Sequence, residues 1–202
     1  MHTDRTNYIF IDYENVREID LGLVEGKPVK VILATGKQQT TLPKGLVKDL
    51  LRLRDQVSLV ENEYVGKNAL DFVLVYEIAK QAIADPKGFF HVVSKDKGFD
   101  ALVKHLHAQK IMAARIERFS DIPVLIDANK LSVQELADRY LSRLQRNQGS
   151  LATRKKTLLT QINGHFNKQL HETKLESVVS ELIKRKLLTV SPTDAVSYPA
   201  KN

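Results

Sequence analysis

The sequence predicts an α/β protein, a three-layer sandwich with a mainly parallel five-stranded sheet, followed by a small C-terminal module of two helices and a hairpin. Short runs of apolar and β-branched residues alternate along the chain with longer segments whose apolar residues recur every three or four positions. The runs are almost continuously apolar, as in strands covered on both faces of a parallel sheet. Alternating strands and helices are typical of this three-layer architecture.

The five predicted strands come in chain order with helical patterns between them. The third strand is the weakest of the five, and the strands cover residues 8–12, 29–34, 57–60, 89–93 and 111–116. The helical patterns that separate the later strands cover residues 42–51, 68–84 and 99–108. Pro86 follows the longest of these patterns and predicts its end.

The predicted domain boundary falls after an amphipathic helix over residues 131–147. The polar, glycine-containing segment 145–150 indicates a linker. We therefore expect a larger domain over residues 1–147, closed by this helix, and a second domain over residues 148–202.

The second domain has the pattern of a small winged-helix-like module. Two amphipathic helices are predicted over residues 153–166 and 172–186. Two short strands around a Pro-Thr-Asp turn are predicted within residues 187–198.

The composition of the 202 residues, 43% apolar and 27% charged, is that of an ordinary globular protein. The absence of cysteine excludes a disulfide scaffold, a thiolate zinc site and a cysteine nucleophile. No stretch approaches the ~20 apolar residues of a membrane helix, and the first residues lack the pattern of a secretory signal. We therefore expect a cytoplasmic protein without a membrane partner.

The positive charge is concentrated at one end of the chain. The net charge is +7, and the last sixty residues contain 11 Lys and Arg against 4 Asp and Glu, so the preceding part is neutral. A neutral body with a basic C-terminal domain favours a polyanionic partner, with nucleic acid as the expected one.

Four aspartates follow predicted strands or begin predicted helices. Asp12 ends the first strand and Asp96 follows the fourth, whereas Asp71 and Asp100 lie in the first turns of helices. A first-turn carboxylate stabilises a helix by ~0.3–1 kcal/mol, which alone explains either helical aspartate. Ligands of open α/β sheets bind at the carboxyl ends of the strands, where these residues are expected.

Taken together, the aspartates indicate a metal site. If neighbouring strand ends gather Asp12, Asp96 and Asp100, their charges repel one another, and a divalent cation relieves that repulsion. Oxygen ligands favour Mg²⁺ or Mn²⁺. Such an ion lowers the pKa of bound water and stabilises charge that develops on a phosphate, so hydrolysis of a phosphodiester is the expected chemistry.

Three segments of the chain resemble the motifs of a known nuclease family. They are Tyr-Ile-Phe-Ile-Asp-Tyr-Glu-Asn-Val at residues 8–16, Lys-Asn-Ala-Leu-Asp-Phe at residues 67–72 and Val-Ser-Lys-Asp-Lys-Gly-Phe-Asp-Ala-Leu at residues 93–102. In this order they resemble the acidic motifs of the NYN branch of the PIN-like nucleases, over roughly residues 6–120. The resemblance implies a metal-dependent endoribonuclease whose catalytic aspartates are Asp12, Asp71, Asp96 and Asp100.

The same resemblance implies roles for neighbouring residues. Asn15 would orient Asp12, and Ser94 would either hold its loop or contact the scissile phosphate. The third motif has its acids four positions apart, as in a subgroup of bacterial PIN-like domains, and leaves open whether Asp96 or Asp100 contacts the metal directly. Glu14 is either a further ligand or a solvated carboxylate.

Two groups of basic residues are candidate RNA contacts. Lys67, Lys95 and Lys97 flank the acidic motifs and are either phosphate contacts or solvated charges. Cations are unfavourable at a helix start, which favours an RNA-binding role for the run Arg154, Lys155 and Lys156. The second domain resembles the LOTUS type of helix-hairpin modules, which implies docking of RNA, a protein partner or a second copy of the chain.

A non-catalytic adaptor that binds RNA or protein is the alternative function, and it would bind RNA without turnover. Three other α/β classes fit less well. A receiver needs an aspartate where Glu61 ends the third strand, and a phosphatase of the haloacid-dehalogenase type needs Asp-x-Asp where Asp12-Tyr-Glu14 stands. A Rossmann dehydrogenase needs a Gly-x-Gly-x-x-Gly run, which the chain lacks.

Overall fold

The computed structural model describes residues 5–146 and 151–199. Within that range the chain divides into two compact units, the first ending at Leu125 and the second beginning at Ile126. Of the helices described, none is both long enough and apolar enough to cross a membrane.

The first unit is built on a five-stranded parallel sheet, as the sequence predicts. The order of the strands is β3-β2-β1-β4-β5, and every neighbouring pair is parallel. The strands are β1 (Asn7–Asp12), β2 (Val29–Gly36), β3 (Val57–Asn62), β4 (Phe89–Val93) and β5 (Met112–Ile116). The weak third run is therefore a genuine strand, and it occupies one edge of the sheet.

Helices cover both faces of this sheet and complete the predicted sandwich. They are α1 (Lys44–Arg52), α2 (Ala69–Ala84) and α3 (Phe99–Ala108). One core lies between the sheet and α1 with its neighbouring short 3₁₀ segments, and the other core lies between the sheet and α2 and α3. Both faces of β1, β2 and β4 are thus buried, which explains their nearly continuous apolar sequences. The edge strand β3 is largely exposed, which explains why its apolar run is the weakest.

The alternation of side chains along β1 decides where its last residue points. Ile9 and Ile11 belong to the core on the α1 side, whereas Tyr8 and Phe10 belong to the core beneath α2 and α3. Successive side chains of a strand point to opposite faces. Asp12 therefore lies on the same side as α2 and α3.

The second unit contains three helices and a hairpin. They are α4 (Val133–Arg146), α5 (Lys155–His165), α6 (Glu172–Lys184), β6 (Thr189–Val190) and β7 (Val196–Ser197). The order of α5, α6 and the antiparallel pair β6–β7 agrees with the predicted order of helix, helix and hairpin, whereas the winged-helix-like module stays a prediction.

The position of α4 differs from the expectation that it closes the first domain. Leu136, Ala137 and Tyr140 of α4 share one core with Val178 and Val179 of α6. The apolar face of α4 is thus buried by the C-terminal helices, so the boundary between the compact units precedes α4. The sequence-based boundary after residue 147 lies 22 positions later than the one after Leu125, and residues 147–150 of the predicted linker lie outside the described part of the chain.

Candidate active site

The candidate site lies at the carboxyl ends of β1 and β4, where the strand order reverses. From β1 the chain adds β2 and β3 on one side, and then β4 and β5 on the other. The connections from β1 and β4 therefore leave in opposite directions and open a crevice between them, which is the usual ligand site of an open α/β sheet. Asp12 is the last residue of β1, and Ser94 and Asp96 follow β4 directly.

Asp12 is a buried carboxylate with hydrogen bonds to both oxygens. Its side chain is only 1% exposed. Its Oδ2 accepts hydrogen bonds from Asn15 Nδ2 at 2.6 Å and from Ser94 Oγ at 2.8 Å, and its Oδ1 accepts one from the Asn15 backbone N–H at 3.3 Å. A buried polar group needs such hydrogen-bond partners. The turn after β1 therefore holds the Asp12 carboxyl group in a fixed orientation.

Ser94 joins Asp12 to the loop that contains Asp96. Its buried hydroxyl donates to Asp12 and accepts a hydrogen bond from the Asp96 backbone N–H at 3.0 Å. The Asp96 carboxylate in turn accepts one from the Gly98 N–H at 2.7 Å. The single O–H donor of Ser94, the group that a phosphate oxygen would accept from, already donates to Asp12. This favours the loop-holding role over contact with a phosphate.

Asp71 approaches the same crevice from the start of α2. The residue before this helix, Asn68, has a left-handed backbone with φ of 59°, which asparagine tolerates better than most residues. Partial burial raises the pKa of the Asp71 carboxyl, and the negative charges of Asp12, Asp96 and Glu14 raise it further. These carboxylates therefore repel Asp71 across a shared space.

Glu14 lies against the end of β2. A Cβ atom on Gly36, the last residue of that strand, would overlap the Glu14 carboxylate. A glycine at this position thus leaves room for Glu14 beside the sheet edge. We refer to Asp12, Asp71, Asp96 and Glu14 as the acidic group.

Asp100 has a different environment from the acidic group. Its Oδ1 accepts a hydrogen bond from Arg115 Nε at 2.6 Å, in an ion pair. Arg115 also donates to the Ser94 carbonyl at 3.0 Å and to Glu117 at 3.3 Å. Asp100, Arg115 and Glu117 form what we call the arginine group.

The sequence predicts that Asp12, Asp96 and Asp100 gather around one ion. The ion pair between Asp100 and Arg115 argues against Asp100 as a metal ligand. Arg115 lies on β5, which pairs with β4 on the side away from β1. Its cation already compensates the Asp100 charge, so Asp100 needs no metal for that purpose. Sequence reasoning missed Arg115, although a single cation within the short buried strand Met112–Ile116 was a usable signal.

The acidic group suits a hard divalent cation by its chemistry. All of its donors are carboxylate oxygens, the ligands that Mg²⁺ and Mn²⁺ prefer, and the repulsion felt by Asp71 is the kind that a cation relieves. In the part of the chain that the structure describes, however, no three His, Asp or Glu side chains are already close enough to hold an ion. Binding would therefore require these side chains to converge.

Exposed lysines surround the acidic group. Lys67 precedes α2, and Lys95 and Lys97 flank Asp96. Among the described residues, none forms an ion pair with these three lysines. A cleft of about 480 Å³ begins beside Asn15 and Lys95 and is also lined by Arg17 and Arg118.

The basic run of the second unit is partly used within that unit. Arg154 donates to the Thr193 carbonyl at 3.1 Å, and Lys155 forms an ion pair with Glu176 at 2.9 Å. Lys156 is exposed. Of the three predicted RNA contacts, Lys156 is thus the one whose charge is most available to a ligand.

Comparison with known families gives one match. The family model described as "PIN domain" matches residues 6–116, which is more than half of the chain. The matched span contains all five strands of the sheet and the four predicted catalytic aspartates. No curated protein and no solved structure gives a significant match.

Proposed function

The chain belongs to the PIN domain family, and from this we propose that it is a metal-dependent endoribonuclease that hydrolyses RNA phosphodiester bonds at the acidic group. Proteins of this family are commonly nucleases. One observation carries the proposal: Asp12 is buried and fixed at the switch point of the sheet, and the pKa of Asp71 is raised by partial burial and by the nearby charges of Asp12 and Asp96. A site with concentrated negative charge attracts a divalent cation, and a bound cation in turn attracts the phosphate group of a substrate.

Asp12 and Asp96 are the residues proposed to hold the ion. Both follow strands that meet at the switch point, and Ser94 links them. A bound Mg²⁺ or Mn²⁺ would supply an acidic water and stabilise charge that develops on the phosphate. In this proposal Asp100 orients Arg115 beneath the Ser94 loop, because its carboxylate is already paired.

Asp71 is proposed to accept a proton from the attacking water at its carboxylate. A general base works best when its pKa lies nearer to the working pH than that of an ordinary carboxylate. Burial and the neighbouring negative charges raise the pKa of Asp71 in this direction. Asn15 and Ser94 act as positioning residues, because their hydrogen bonds fix Asp12.

The substrate backbone is proposed to follow the exposed lysines. Lys67, Lys95 and Lys97 offer positive charge on the rim of an otherwise acidic crevice, so they would hold phosphates on either side of the scissile bond. The cleft beside Lys95 is lined by Arg17 and Arg118 but also by Glu18, Asp20 and Glu117, so it adds no net positive charge to this surface. In the second unit, Lys156 and its neighbours Arg154 and Lys155 add non-specific attraction for RNA.

The test is cleavage of an end-labelled single-stranded RNA with Mg²⁺ or Mn²⁺. We expect Asp12→Asn and Asp96→Asn each to lower the cleavage rate by on the order of 100-fold or more. Asp55→Asn, which removes an exposed carboxylate elsewhere in the first unit, should cleave like the wild type. Thermal melting shows whether each variant is folded, and undiminished cleavage by both site variants would refute the mechanism.

An adaptor that binds RNA without cutting it is the second candidate. It is favoured by the finding that, over residues 5–146 and 151–199, no three potential ligands are already gathered. This function predicts that the wild type binds the same RNA and leaves it intact with either metal. Cleavage that depends on Asp12 and Asp96 excludes it.

A further inference from the structure

The outer face of α2 carries a stripe of apolar side chains that are largely exposed. The inward face of this helix buries Leu70, Leu74, Ile78 and Ala82. On the opposite face, Phe72 is 70% exposed, Tyr76 is 66% exposed and Ile83 is 84% exposed, with exposed Ala79 between the last two. Single exposed apolar residues are ordinary, but a contiguous apolar patch of this kind marks an interaction surface.

The spacing of the stripe is that of a helix-pairing seam. Phe72, Tyr76, Ala79 and Ile83 follow one another at intervals of four, three and four residues. This is the interval pattern of the apolar positions in paired helices. The buried face of α2 has intervals of four throughout, so the stripe is not a by-product of the core pattern.

The stripe is complementary to itself when two copies of α2 run antiparallel. A two-fold axis between residues 77 and 78 places Phe72 opposite Ile83 of the other copy, and bulky Tyr76 opposite small Ala79. A two-fold interface requires this kind of self-complementarity. A parallel pair would instead bring together the two first turns, each of which contains the carboxylate of Asp71, and like charges repel.

The charges beside the stripe do not favour RNA as its occupant. Glu77 and Lys80 form an ion pair at 2.6 Å, so the cation on this face is already compensated. Phe72 and Tyr76 expose aromatic rings, but sequence-independent RNA surfaces combine such rings with a positively charged groove. Lys80 is the single cation in the sequence of α2, and it is the one paired with Glu77. We propose that the stripe pairs with the same stripe of a second copy of this chain, in an antiparallel two-fold dimer.

The exposed area sets the expected strength of this dimer. Aromatic side chains bury 150–250 Å² each, so the three large side chains offer roughly 400 Å² per copy. The pair would bury about 800 Å² between them, less than the ~1,200 Å² at which stable complexes begin. The dimer is therefore weak and forms only at high protein concentration, with the exposed side chains of Tyr64 and Val65 near the start of α2 as candidate additional contacts.

Sedimentation equilibrium of the full chain, from about 5 to about 500 µM, tests the dimer. The wild-type mass should rise with concentration from 22.9 kDa towards twice that value. Phe72→Glu and Ile83→Lys should each raise the dissociation constant at least ~10-fold. Leu51→Glu alters an equally exposed residue on α1, 73% exposed, and should leave association unchanged.

A mixture of the Phe72→Glu and Ile83→Lys variants tests the register. In the proposed arrangement the new glutamate faces the new lysine, and the second Phe72–Ile83 pair stays native, so the mixture should associate more tightly than either variant alone. A wild type that stays monomeric, a mixture that does not associate, or equal loss in Leu51→Glu would each overturn the proposal. The proposal would also be overturned if Phe72→Glu associated as strongly as the wild type in sedimentation equilibrium. That result would leave the stripe as an RNA-binding surface or assign the association to the second unit.

Discussion

The acidic group and the arginine group lie at the same edge of one sheet, but their carboxylates differ in whether a nearby cation is paired with them. In the acidic group, partial burial raises the pKa of Asp71 and the neighbouring carboxylates raise it further. None of the described residues forms an ion pair with Asp71. In the arginine group, Arg115 holds Asp100 at 2.6 Å and also contacts Glu117. The comparison shows that a candidate cation site is better recognised by carboxylates without a cationic partner than by the number of nearby acidic residues.

The largest expected effect concerns the arginine group, where Arg115 donates hydrogen bonds to Asp100, Glu117 and the Ser94 carbonyl. Arg115→Met removes the donors to Asp100 and to the buried Ser94 carbonyl, and so should lower the free energy of unfolding by about 1–3 kcal/mol. Urea denaturation measures this loss. Arg118→Met removes a more exposed arginine, 71% against 12% for Arg115, and should cost under ~0.5 kcal/mol. Equal costs for the two variants would show that Arg115 has no special structural role.

The next largest effect is stabilisation of the folded protein by a divalent cation, which we expect to bind at the acidic group and not at the arginine group. Mg²⁺ or Mn²⁺ at about ten times its dissociation constant should stabilise the wild type by about 1.4 kcal/mol, because it binds the folded state alone. Thermal melting with and without the ion measures the gain. Asp100→Asn should keep it, whereas Asp96→Asn should lose it. A gain that disappears in Asp100→Asn would place the ion in the arginine group instead.

A smaller effect, of opposite sign to the first, is expected for Asp71→Asn. Removing a repelled charge should stabilise the metal-free protein at pH 7 by at most about 1 kcal/mol. The pKa of Asp71 is higher in the folded protein than in the unfolded chain, so the wild type loses stability as the pH rises through the folded value. The advantage of the variant should therefore vanish below about pH 4, where Asp71 is protonated in both states. Melting curves of both proteins across this range test the sign, and an Asp71→Asn protein less stable at pH 7 would contradict it.

The smallest effect tests whether Glu14 belongs with the acidic group. Gly36→Ala adds a Cβ that must push the flexible Glu14 carboxylate aside, at an expected cost of a few tenths of a kcal/mol. The stabilisation by Mg²⁺ should fall in this variant if Glu14 assists the ion. Gly45→Ala, where a Cβ meets open space, is the matched control for the added methyl group. An unchanged response to Mg²⁺ in Gly36→Ala would make Glu14 a solvated carboxylate.

The sheet was predictable from the sequence because its signal is local. Each buried strand is a short apolar run, and burial on both faces makes that run visible without any knowledge of its neighbours. The helix α4 was misassigned because an amphipathic pattern shows that a face is buried without showing what buries it. Its face packs against α6, a partner more than thirty residues away.

The sequence indicated which residues lie at the candidate site, but it did not indicate which of them contact one another. The ends of β1 and β4 indicated Asp12 and Asp96, because the carboxyl edge of a parallel sheet collects such residues. No local pattern showed that Arg115 on β5 reaches Asp100, since that contact depends on the order of strands in the sheet. For the same reason the glycine that makes room for Glu14 could not be recognised in advance.

By itself, the sequence determined the five strands, the helices and the set of carboxylates at the strand ends, because hydrophobic periodicity and helix-start chemistry act over a few residues. Only the tertiary structure decided which carboxylates keep an uncompensated charge and where one compact unit ends. Those outcomes depend on contacts between distant segments. Arg115 lies 2.6 Å from Asp100, although the two residues are fifteen positions apart in the chain. Charge compensation acts through space, and the order of strands brings its partners together.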